Sequence, residues 1–292
     1  MADTEILIKF EGGDADRYHG VDMRLLGRSL AGFDRIISDG LILITENRVA
    51  RHRERAPIVI IAKEPRKGSA EFYGDLAPAI GMFPFAWQLV QDGAGKIVWS
   101  WVSFVLEYFG GRKADAEKHL ETIVRLREIE AQERQLSEER WHEQMGAFRD
   151  QTFQVLNKLV DASQQAVSPV GPSVTKVNFI SGPSPGTEID AAKADAIRAG
   201  GDFDVGDLQR MTLKTDGFVF HNRKLNVHHP DGSGRFISAD VKDPIFDKEE
   251  NVYARAAARK ASIRVQAKPV YRGGKLERLY IMDFEGEIDE AA

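Results

Sequence analysis

QRMTLKTDGFVFHNRKLNVHHPDGSGRFISADV, residues 209–241, decides the character of the C-terminal third. Four short runs have the texture of strands: Arg210–Leu213, Phe218–His221, Leu225–His228 and Phe236–Val241. Alternation with period two is the signature of a half-buried strand. Asp216-Gly217 and Asp231-Gly232 separate the runs and read as turns. Downstream, Glu249 to Lys260 is an Ala-rich helix. Ser262–Tyr271 and Leu276–Phe284 add two strands around Gly273-Gly274. Thr187 is placed to cap a helix from Glu188 to Ala199. Residues 188–292 therefore read as a helix followed by an antiparallel β domain of about six strands, a number that admits a small barrel.

Upstream the texture changes repeatedly. Glu5–Phe10 reads as a strand stopped by Gly12-Gly13-Asp14, Val21–Ser38 as an amphipathic helix, and Pro57–Ala62 as a second strand returning through Ser69–Tyr73. Residues 1–75 make a small α+β unit. Leu76–Gln91 and Ile97–Leu106 carry no charge and hold Trp87, Trp99 and Trp101. Each run is shorter than the ~20 residues a spanning helix needs, and Pro78 and Pro84 break the first. Residues 76–111 thus read as an apolar helical hairpin, packed as core or against another subunit, with membrane contact the disfavoured reading. Residues 112–167 read as one long helix of roughly 80 Å. Its second half spaces Met145, Phe148, Thr152, Val155, Leu159, Ala162 and Ala166 as a heptad-like seam, and a second copy of the chain is the expected cover. Residues 168–187, with four prolines, read as a linker. The fold class is α+β.

The chemistry is sparse. The chain has 292 residues, no cysteine and a formal charge of −5. Disulfides, thiolate nucleophiles and cysteine–zinc sites are excluded together. The acidic start, Met1-Ala2-Asp3-Thr4-Glu5, with no apolar run after it, is unlike a secretory signal, and a cytoplasmic location is expected. Gly182-Pro183-Ser184-Pro185-Gly186 matches the string of a nucleophile elbow, but Pro185 lacks the N–H an oxyanion hole needs. Gly93-Ala94-Gly95-Lys96 lacks the first glycine and the Ser/Thr of a phosphate loop. Of the seven histidines, His119 and His142 read as solvated on the long helix, and His228-His229 as a polar pair beside a turn. No catalytic residue, metal site or cofactor is implied.

Binding has more support. Residues 48–67 hold seven basic residues against two acidic, and 255–278 hold eight against one. In the second group Arg255, Arg259, Arg264, Lys268 and Arg272 are candidate nucleic-acid or anion contacts, with Tyr253, Tyr271 and Tyr280 as candidate stacking rings. Met145, Phe148, Val155 and Leu159 are candidate oligomer contacts. Trp87, Trp99 and Trp101 are candidate membrane or subunit contacts. The leading expectation is a non-enzymatic, self-associating interaction protein with an unidentified protein partner; nucleic-acid binding through the C-terminal β domain and membrane action through 76–109 are the alternatives.

Phe10-Glu11-Gly12-Gly13-Asp14-Ala15-Asp16, the helix after it, and Pro65-Arg66-Lys67-Gly68-Ser69 before a Gly-rich apolar stretch form a pattern. It resembles a loose family of uncharacterised bacterial and phage proteins over about the first 110 residues. Asn251-Val252-Tyr253 and Arg272-Gly273-Gly274-Lys275 fit the same pattern. The resemblance implies no catalytic residues; a role in phage–host conflict would suit it.

Overall fold

The computed structural model describes residues 4–52, 54, 56, 58–63, 70–78, 94–133, 138–201, 203–248, 250–272 and 274–288. The chain divides after Gly201 into two compact units. Trp87 and most of 76–93 lie outside the described residues, as do Arg53, Arg55, Arg66 and Lys67.

The first unit packs helices on an antiparallel sheet of order β2-β3-β1-β4-β5. The strands are β1 (Glu5–Glu11), β2 (Ile58–Ala62), β3 (Glu71–Pro78), β4 (Lys176–Ser181) and β5 (Thr187–Ile189). The helices are α1 (Asp14–Tyr18), α2 (Met23–Glu46), α3 (Ala94–Phe109), α4 (Lys113–Glu133), α5 (Glu138–Ala166) and α6 (Ala191–Arg198). Register places Ile6, Ile8 and Phe10 of β1 opposite Ser181, Phe179 and Val177 of β4, all six buried on one face. Phe33 of α2 stacks on Phe179 with ring centroids 5.4 Å apart. The supposed linker 168–187 therefore contains β4, beside the central strand. Its residues alternate in burial, with Val177, Phe179 and Ser181 inward, but Phe179-Ile180 breaks the polar–apolar alternation in a stretch flanked by prolines and glycines. The first unit accordingly runs to Gly201, rather than through several separate segments.

α2 continues past Ser38 to Glu46, because Leu41-Ile42-Leu43-Ile44 buries as fully as the earlier turns. Asp22 caps its start through the Leu25 N–H, and Asn47 ends it at φ 50°. The expected single stalk folds back instead. Arg127 of α4 lies 4.5 Å over the ring of Phe148 in α5 and donates to Asn47 Oδ1. On one straight helix those two residues would be roughly 31 Å apart. α4 packs on α3 and α5 packs on α2. Met145, Phe148, Val155 and Leu159 are consequently buried within one chain, and the seam assigned to a second copy is covered by the chain's own helices. The same spacing serves either partner, so sequence periodicity does not distinguish them.

α3 is core. Val98, Trp101, Val102, Val105 and Leu106 are buried, and the Trp101 indole donates to the Ile36 carbonyl at 2.8 Å. Among the described residues no helix is long and apolar enough to cross a membrane. Trp99 is partly buried and meets the edge of His119, 4.9 Å between centroids. His119 is thus packed rather than solvated, and burial pushes its pKa below the usual histidine range.

The second unit is a closed five-stranded barrel. Its strands are β7 (Gln209–Val219), β8 (Lys224–His228), β9 (Phe236–Val241), β10 (Ser262–Arg272) and β11 (Lys275–Ile288), with α7 (Val252–Arg259) between β9 and β10. They pair in the ring β7-β8-β9-β11-β10-β7. A ring with an odd number of strands needs one parallel pair, and β9–β11 supplies it. The unit is therefore not wholly antiparallel. A three-strand meander, a helix and two more strands closing in this order is the connectivity of the OB-fold. Asp216-Gly217 is no turn: β7 runs through it with a bulge, and the chain reverses at Phe220–Arg223, where Arg223 takes φ 55°. β6 (Asp204–Val205) pairs with the end of β10. The core holds Leu213, Leu225, Val227, Val265, Leu279 and Ile281. Thr215 Oγ1 donates to backbone carbonyls at Ala256 and Ala261, fastening α7 to the barrel.

Candidate nucleic-acid interface

β8 and β9 pair antiparallel in a register that aligns their outward residues. Leu225, Val227, Ala239 and Val241 point into the barrel. Lys224, Asn226 and His228 on β8 then face outward opposite Asp240, Ser238 and Phe236 on β9. Phe236 is 54% exposed, and its ring lies against His228 with centroids 4.7 Å apart. Lys224 pairs loosely with Asp240 at 3.9 Å. Between these two ends Asn226 stands opposite Ser238, whose buried Oγ has no hydrogen-bond partner. The parallel register continues the face onto β11, with Ser238 beside Arg278 and Asp240 beside Tyr280.

The turn joining β8 to β9 is ordered from within. Asp231 accepts from the Ser233 N–H, pairs with Arg235 at 2.9 Å and lies 2.7 Å from His229. Ser233 and Arg235 beside it hold the Asp231 carboxyl below the usual range. Arg235 is exposed in the turn next to Phe236 and is held there by Asp231. Residues 207–285 carry 15 Lys and Arg against 11 Asp and Glu, in a chain whose total is −5. The positive excess is local to the barrel.

The five basic residues that the sequence singles out are not on β8 or β9 and do not gather at one place. Arg255 and Arg259 on α7 pair with Glu287 at 2.9 and 3.7 Å. Arg264 on β10 lies in the field of Glu285, which also holds Arg210 at 2.8 Å. Arg272 pairs with Glu277 at 3.2 Å. Lys268 faces outward opposite Tyr280 on the β10–β11 ladder. Glu285 and Glu287 lie beyond the basic stretch 255–278, and β11 folds them back onto it. Of the candidate stacking rings, Tyr253 is fully buried and donates to Asp243 Oδ2 at 2.7 Å, and burial raises its pKa. Tyr280 is buried as well. Sequence reading missed Phe236, Asn226 and Arg278. The available signal was the alternation Leu225-Asn226-Val227-His228, which puts Asn226 and His228 on one side.

In the first unit a groove of about 550 Å³ opens among α3, α4 and α5. Phe104, Leu120, Val124 and Phe153 give it an apolar floor. Its rim sets Lys113, Arg125 and Arg149 against Glu117, Glu121 and Glu128, so it presents no net charge to an ionic ligand. Among the described residues no group of three or more His, Asp or Glu is placed to hold a metal.

Residues 6–198 match the family described as Domain of unknown function (DUF7946). The chain belongs to this family. Residues 207–285 match a second description, Family of unknown function (DUF7947). The two matches fall on the two structural units, the second on the barrel, and reach far beyond the 110 residues of the resemblance. No curated protein and no solved structure matches the chain.

Proposed function

We propose that the barrel binds single-stranded nucleic acid across the outward face of β8 and β9. The observation that carries this reading is Phe236, a large apolar ring left 54% exposed in a strand and backed by His228. Such a ring is a platform for a base, and base–aromatic stacking contributes about 1–3 kcal/mol per base. Lys224 at one end of the two strands and the exposed Arg235 in the turn at the other are placed for phosphates, and the exposed amide of Asn226 between them offers a donor and an acceptor. The OB connectivity supports the same side, since strands two and three of that fold are its usual contact surface for oligonucleotides. Fold alone does not assign function, so the reading rests on the side chains.

Fluorescence anisotropy with a labelled oligonucleotide tests it. Phe236→Ala is expected to weaken binding about 5- to 150-fold, whereas Arg264→Gln, which sits by Glu285 away from the face, leaves affinity nearly unchanged. Equal affinity of Phe236→Ala and the unaltered protein would contradict the reading.

A further inference from the structure

The segment leading into the barrel pairs with β10, and its Phe203 reaches Arg278 on β11, the strand that borders the β8–β9 face. β6 pairs Val205 with Val270 and Asp204 with Tyr271, and the Gly206 N–H donates to the Pro269 carbonyl at 2.8 Å. A Cβ on Gly206 would come within 2.7 Å of the Pro269 ring, so the segment sits tight on β10. Phe203, one residue before β6, is 4% exposed. Two guanidinium carbons stand over its ring, Arg272 at 4.3 Å and Arg278 at 4.5 Å from the centroid. Arg278 also lies 5.9 Å from the Tyr280 ring, and register puts it beside Ser238 at the middle of the β8–β9 face. Leu279 and Ile281 point into the core, so Arg278 and Tyr280 between them point outward.

A planar ring held against two guanidiniums is what a stacked nucleobase would be on a binding surface. We propose that Arg272 and Arg278 form a base-stacking position continuous with Phe236 and Asn226, and that Phe203 fills it in cis. The strand and the segment 203–206 then compete for one end of the face, and the segment lowers the affinity of the protein for the strand. This inference rests on the nucleic-acid reading of the barrel.

The affinity of the full chain for a labelled single-stranded oligonucleotide tests it. Phe203→Ala is expected to bind about three- to tenfold tighter than the unaltered chain, because an occluding state that is mostly populated lowers apparent affinity by the fraction it leaves open. Phe203→Leu, which keeps an apolar side chain but offers the guanidiniums no π face, is expected to tighten binding by a smaller factor and guards against a fold lost in the alanine variant. Arg278→Ala is expected to weaken binding. If Phe203→Ala and Phe203→Leu melt normally and bind no tighter than the unaltered chain, while Phe236→Ala still loses binding, the competition is overturned and the reading of the face survives. If none of these proteins binds any strand, both are overturned.

Discussion

At Gly40 the backbone of α2 touches the indole of Trp101. A Cβ there would stand 2.0 Å from Trp101 Nε1, the atom that donates to the Ile36 carbonyl. Gly40→Ala is expected to cost roughly 1–3 kcal/mol through overpacking. Trp101→Phe in the same chain should recover part of that loss, a coupling that a double-mutant cycle in urea denaturation measures. His119 makes a pH prediction. Its folded pKa is depressed by burial, so the unfolded chain takes up the proton first. Its neutral form is accommodated at neutral pH. Stability is lost as pH falls below the unfolded value of about 6.5 toward the lower folded one. His119→Gln should flatten that part of the stability-versus-pH curve, and an unchanged slope would count against the assignment. These roles were only partly legible in the sequence. Trp101 showed as an apolar ring needing cover, but its cover, a glycine 61 positions earlier, is a product of helix packing.

Among the elements, the fold-back of α4 on α5 has the largest consequence. Phe148 is fully buried beneath Arg127, and Val155 and Leu159 are buried along the same helix. Gly32 lets α2 approach, since a Cβ there would fall within 2.4–2.9 Å of backbone atoms at Ala162 and Ala166. Phe148→Asp is expected to cost several kcal/mol, because a fully buried aromatic ring would be lost and a carboxylate desolvated in its place. The loss should appear as a lowered melting temperature, whereas Phe153→Ala, on an exposed position of the same helix, should shift stability by no more than about 0.5 kcal/mol. Strongly periodic stretches were legible as elements: β1, the start of α2, the helices over 112–167, β8, β9, β10 and β11. What failed was punctuation. Asp216-Gly217 carries the chemistry of a turn yet sits in a bulge of an eleven-residue strand. The prolines around 168–187 suggest a linker, though Lys176–Ser181 pairs with β1 and alternates in burial. A turn signal states what a dipeptide tolerates, and tertiary pairing decides whether the chain reverses there.

Over the whole molecule, charge is unevenly shared. Residues 207–285 carry a small positive excess while the chain as a whole is negative. Binding of an anionic polymer should therefore be governed by a few local contacts rather than by net charge. With Lys224 and Arg235 at phosphates and the Arg278 guanidinium adding a third positive charge to the face, log affinity should fall against log salt with a slope of about −2. The barrel could be suspected from strand count alone, but its closure depends on the parallel β9–β11 pair, and no local signal in either strand announces that pairing. The candidate face was harder still to see. It is assembled from residues between 224 and 278, and several arginines of the obvious basic run are met by Glu277, Glu285 and Glu287. The measurement that bears most directly on the account is an oligonucleotide titration of the full chain at about 50 and about 200 mM salt, with Phe236→Ala alongside. The account predicts saturable binding of single strands at the lower salt, a loss of about twentyfold at the higher, and little binding by the variant. Absence of binding at the lower salt, or equal binding by Phe236→Ala, would contradict it.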